Sequence, residues 1–214
     1  MDTTEIVITS VFGVLLVAGL VLGLRQRSQV KDQVASYSQR HGWAAIGDED
    51  ERLSGLLKEL APDERWIANR TLQVEQAPEM VYLFGYRASA KSHSTDWLTG
   101  TACLAQHTGR ARGTPVSIIS RTPVAEKMLD DRVAVGGEAF RQRFTVLCKS
   151  AAEAEAVVNA EVERILLRHA EKPGWYVTVM IANRQVLVAS FWAVKDEDWD
   201  HLIELTRNLR AAVR

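Results

Sequence analysis

Cys103 and His107, four residues apart, are the closest this 214-residue chain comes to a metal pair. On an extended strand they would share a face but stand roughly 13 Å apart, too far to ligate one ion without a bulge. Ordinary buried or edge positions explain them better. Asp130 and Asp131 could form a carboxylate pair for acid–base work, yet they adjoin Arg132 in an irregular stretch, where solvated charge is the plainer reading. His41, His93, His169 and His201 scatter over expected turns and helix ends, where solvent-facing or capping roles suffice. The sequence holds no P-loop, G-x-S-x-G elbow, G-x-G-x-x-G loop or H-E-x-x-H helix. It therefore assigns no catalytic, cofactor-binding or metal-ligating residue, and no cofactor.

Two groups of cations remain. Arg25, Arg27 and Lys31 follow directly on an apolar run, where each would gain roughly 1 kcal/mol from anionic lipid headgroups near the surface. Arg110 and Arg112 alternate with Gly109 and Gly113 in a loop that could contact a partner, although a solvated hairpin loop accounts for the same residues. Lys and Arg total 26 against 27 Asp and Glu, a balance that provides no basic field for nucleic acid.

The run from Ile6 to Leu24 contains no charged residue. As a helix it would extend roughly 28 Å, close to the ~30 Å hydrocarbon core of a bilayer. No Lys or Arg precedes it and no small-x-small site follows it, so it reads as an uncleaved anchor rather than a signal peptide. The flanking cations all lie on its C-terminal side, which predicts an N-terminus outside and the C-terminal domain in the cytoplasm of the cell membrane. Two cysteines, Cys103 and Cys148, suit a reducing compartment. Gly19 and Gly23 form a small-xxx-small pair through which two anchors could form a homodimer, though glycine is common in such helices in any case.

The elements that follow read as one α+β domain. Residues 1–24 form the outer tip and span, 25–42 a helical stalk stopped by Gly42, and 43–214 the domain. A short strand at 43–46 precedes a helix opened by the acidic cluster at 48–51 and closed by Pro62. Strands are expected at 66–74, 80–90, 97–107 and 115–121, with gaps too short for parallel crossovers. A strand from Phe140 to Cys148 then leads to one helix capped by Ser150 and Glu153, burying Ala154, Val158, Val162, Ile165 and Leu166. A hairpin, 175–181 with 185–192, turns at Asn183 and Arg184. The last helix opens at Asp196 and buries Trp199, Leu202, Ile203, Thr206 and Leu209. The predicted fold is thus an N-terminal transmembrane helix followed by an antiparallel sheet packed with helices.

The segment Tyr37-Ser38-Gln39-Arg40-His41-Gly42-Trp43, with the later block Glu138-Ala139-Phe140-Arg141-Gln142-Arg143-Phe144 and its following helix, resembles an uncharacterised family of bacterial membrane-anchored proteins. The resemblance implies a single N-terminal span plus an α+β domain and carries over no catalytic residue. The expectation is a single-pass membrane protein whose cytoplasmic domain binds a protein partner at the bilayer, more an interaction module than an enzyme. The alternative is a small-ligand binder or enzyme with a dispersed site. A deep polar pocket would favour that alternative, and a shallow apolar patch would favour interaction.

Overall fold

The computed structural model describes residues 32–48, 50–76, 79–89, 98–108, 112–121, 131–172, 175–191, 193 and 195–213. The expected span, Gly19, Gly23 and the cations Arg25, Arg27 and Lys31 lie outside the described residues. Among those described, no helix is long and apolar enough to cross a membrane. The chain divides between Gly42 and Trp43 into two units. In the first, helix α1 covers residues 32–41 and stops at Gly42, whose φ of +68° is the left-handed conformation that ends helices. Within α1 the Tyr37 ring lies 4.6 Å from that of His41, and the Arg40 guanidinium stands over its face.

The second unit is an α+β domain. Strand β1 (Ala44–Gly47) is followed by α2 (Glu51–Leu60), whose N-cap Asp50 accepts a hydrogen bond from the Leu53 amide at 2.7 Å. Strands β2 (Arg65–Glu75), β3 (Val81–Ser89), β4 (Leu98–Gln106) and β5 (Arg112–Ser120) follow, then β6 (Arg132–Val133), α3 (Glu138–Arg143) and β7 (Phe144–Leu147). Two short helices, α4 (Ala151–Val157) and α5 (Ala160–His169), lead to the hairpin β8 (Val177–Asn183) and β9 (Gln185–Ser190) and to α6 (Asp196–Ala212).

The nine described strands form one sheet in the order β1-β2-β3-β4-β9-β8-β5-β7-β6, and every pairing is antiparallel. The C-terminal hairpin inserts between β4 and β5, joining two groups of strands that the chain makes separately. Alternation along the strands sends successive side chains to opposite faces. On one face, Leu53, Leu56, Leu57 and Leu60 of α2 bury against Tyr82, Phe84, Ala102, Leu104 and Leu187. On the other, α6 lies across β4 and β9. The sixth helix also packs on α5, which in turn meets α3.

Two expected elements differ. Residues 138–143 are helical rather than the start of a strand, beginning after Gly136, whose φ is +81°. Phe140 and Phe144 share a face either way, because a step of four satisfies both the strand period and the helical one. Their rings stack at 5.1 Å and both are buried, while Arg141, Arg143 and Lys149 are exposed. The single helix expected after Ser150 is broken at Val158. There Asn159 turns its side-chain oxygen onto the Glu161 and Val162 amides, each at 3.0 Å, and starts a second helix. The five residues expected to be buried along this stretch are buried nonetheless.

Candidate functional site

The site is a seam between two capped helices. Asn159 fixes the start of α5 and its amide nitrogen also donates to the Ala212 carbonyl at 3.1 Å, tying that start to the end of α6. At the opposite end, Asp198 accepts from the Lys195 amide at 3.2 Å and from Lys172 Nζ at 3.2 Å. Between these clamps runs a groove of about 640 Å³. Its α5 wall is Glu161, Arg164, Ile165, Arg168 and His169; its α6 wall is His201, Glu204, Leu205, Asn208, Ala211 and Ala212. Both sets recur at three- and four-residue steps, the spacing that puts helical side chains on one face.

One end of the groove is aromatic. The imidazoles of His169 and His201 stack at 4.4 Å with 12° between their planes, and Trp175 meets both edge-on at 5.0 and 4.8 Å. Lys172 Nζ sits 4.4 Å from the Trp175 centroid. His169 is 5% exposed, and neither of its ring nitrogens has a hydrogen-bond partner among the described residues; the same holds for Nε2 of His201. Burial first, then His201 and Lys172, push the His169 pKa down to about 3. Burial and Lys172 also lower that of His201, against the opposing pull of Glu204 and Asp198. Both rings are thus neutral near pH 7, each offering one N–H donor and one nitrogen acceptor. Stacked rings hold their in-plane lone pairs side by side, an arrangement that does not converge on one ion. No cluster of three or more His, Cys, Asp or Glu suited to a metal occurs among the described residues.

Farther along, Arg164 donates from Nε to Glu161 at 2.9 Å on the solvent side. The side chains of Arg168, Glu204 and Asn208 make no hydrogen bond to described residues. The lining therefore balances two guanidinium groups against two carboxylates.

The residues singled out in the sequence lie elsewhere. Cys103 is fully buried in β4 opposite Val188, and burial lifts its thiol to about 12, so it is no thiolate ligand. His107 lies just beyond that strand, its amide bonded to the Arg184 carbonyl at 2.9 Å. Cys148 is a buried free thiol. Asp131 is exposed, whereas Asp130 and Arg110 lie outside the described residues. Arg112 pairs through β5 with Asn183 of β8; its side chain is outside the description. His169 and His201, for which solvent-facing or capping roles were expected, instead stack on each other, His169 buried and His201 half-buried. The available signal was His169 on the same helical face as Val162, Ile165 and Leu166, and His201 one turn from Leu205.

No protein-family model matches the chain, and no curated protein matches it. A solved structure does resemble it: the crystal structure of the mycobacterial trehalose monomycolate transport factor A, TtfA, aligns with a TM-score of 0.59 over 86% of this chain and 94% of that one. The two are 12% identical, so the likeness is one of fold.

Proposed function

We propose that this chain is a membrane-anchored, non-catalytic factor that serves a membrane transport system by presenting its α+β domain to a protein partner. The observation that carries the reading is the likeness of fold along 94% of a protein described as a transport factor. The uncharged run from Ile6 to Leu24 supports attachment to the bilayer, with Arg25, Arg27 and Lys31 gripping headgroups on the cytoplasmic side. Membership of the membrane-anchored family that the sequence resembles belongs to the same proposal. So does a contact role for the loop carrying Arg110 and Arg112.

Affinity capture of the intact chain from membranes tests it, with a chain lacking residues 1–31 as control. An integral membrane transport protein should be recovered with the intact chain, and recovery of soluble enzymes alone would overturn the reading. A reporter active only outside the cytoplasm, fused after Arg214, should be silent. Activity from that fusion would place the domain on the other side of the membrane.

A further inference from the structure

We propose that one end of the sheet rests its exposed aromatic and aliphatic side chains in the headgroup layer of the bilayer to which the chain is tethered. Among the described residues, the most exposed large hydrophobic side chains are Leu98 (54%), Tyr176 (44%) and Phe191 (41%). They are distant in sequence, and the strand register gathers them. Leu98 pairs with Ala88 at the end of the β3–β4 ladder, while Phe191 follows, and Tyr176 precedes, the last pair of the β8–β9 ladder, Ser190 with Val177. Ser190 also pairs with Thr101, which brings Phe191 alongside Gly100, two residues from Leu98. The Phe191 ring lies 6.4 Å from that of Tyr86, which lies 5.0 Å from the half-buried Trp66. Gly100 makes room for this row, since a Cβ there would stand 3.0 Å from the Tyr86 ring.

Single exposed hydrophobic residues are ordinary on a protein surface, whereas a contiguous group of them marks a contact site. Two observations select lipid as the contact. The residue types are those that lie where hydrocarbon meets headgroups, because each has a large apolar body and Trp and Tyr keep one polar atom for water. The chain also brings a bilayer within reach, a step that rests on the anchor reading of residues 6–24. Residues 25–42 alone separate that run from the domain, and fully extended they span roughly 60 Å. So short a tether holds the domain over the membrane at about millimolar effective concentration, enough to populate a contact too weak to recruit a free protein. Charge selects nothing further, since Asp63 and Glu197 are exposed near this end along with Arg65 and Lys195. The contact is therefore apolar and does not require anionic lipid.

The test uses the intact chain reconstituted into phosphatidylcholine vesicles, with a nitroxide on Leu98→Cys, on Tyr176→Cys or, for reference, on Glu155→Cys, an exposed site of α4. Cys103 and Cys148 are buried and do not compete for the label. Oxygen, which concentrates in lipid, should relax the labels at 98 and 176 severalfold more than a water-soluble nickel chelate does, and the order should reverse at 155. Raising the salt to about 1 M, where the Debye length is roughly 3 Å, should leave these ratios in place. Leu98→Glu, a change at an exposed site, should return the label at 176 to water without moving the unfolding midpoint. Labels at 98 and 176 that favour the chelate would overturn the proposal and leave this end of the sheet to a protein partner. So would lipid contact that disappears at high salt, or a label at 155 that reads lipid as strongly as the other two. Release of the chain from the vesicles by alkaline carbonate, scored separately, would count against the anchor rather than against the docking surface.

Discussion

Protonating the buried imidazole of His169 should destabilise the domain in a defined pH window, one set above that of the Glu75 carboxylate. Folding lowers the His169 pKa from 6.5 to about 3, chiefly by burial. The unfolded chain therefore binds more protons than the folded one between those values, and stability falls as pH drops through 6.5. Integrating the linkage from pH 7 to pH 5 gives a loss of about 2 kcal/mol from this one residue. Glu75 titrates elsewhere. Although burial works against it, hydrogen bonds from Arg210 and Arg207 hold its carboxylate below the usual range, so its contribution is lost only at more acid pH. Denaturant midpoints of the intact chain, followed by tryptophan fluorescence at pH 7 and pH 5, measure the loss. His169→Phe keeps an aromatic ring against Trp175 and removes the titration. The native chain should lose about 2 kcal/mol more than this variant between the two pH values. An equal loss in both proteins would refute the assignment of a buried neutral imidazole at position 169.

Four substitutions probe the frame of the domain. Phe144→Ala removes a buried ring stacked on Phe140 and should cost about 3 to 5 kcal/mol. Arg143→Ala loses only an exposed hydrogen bond to the Ala170 carbonyl and should stay within about 1 kcal/mol; denaturation midpoints that reversed this order would mean the wrong face is buried. Gly100→Ala would set a Cβ 2.4 Å from the Ser190 carbonyl oxygen, forcing β4 and β9 apart at a cost of about 1 to 3 kcal/mol in thermal or chemical unfolding. Asn159→Ala removes the cap of α5 and its tie to Ala212; a loss of about 1 to 2 kcal/mol, with faster amide exchange in the first turn of α5, is the expected result.

The break between α4 and α5 shows how a correct burial pattern can hide a wrong element. Ala154, Val158, Val162 and Leu166 follow a helical step straight through residues 158 and 159, so periodicity reads one helix. The deciding group is a single amide side chain. Asn159 satisfies the first amides of α5 with its own oxygen, which lets the backbone leave the helix at Val158, where ψ is 65°. The break gives α5 its own N-terminus at Asn159, tied through that side chain to the last turn of α6.

The sequence by itself determined what depends on near neighbours along the chain. Alternating and helical spacing marked β2 to β5, the C-terminal hairpin and the buried stripe of α6, while the acidic cluster at 48–51 and the cap at Ser150 marked helix starts. Hence the antiparallel α+β class was legible, because each such signal is written within a few residues. Strand order was not. The insertion of β8 and β9 between β4 and β5 joins residues such as Cys103 and Val188 that lie far apart in sequence, and no local pattern encodes which edge a hairpin will meet. The same limit hid the histidine pair. His169 and His201 each look like an ordinary helix residue. Only the packing of α5 on α6 brings their rings to 4.4 Å, buries His169, half-buries His201 and turns two scattered imidazoles into one neutral, stacked pair.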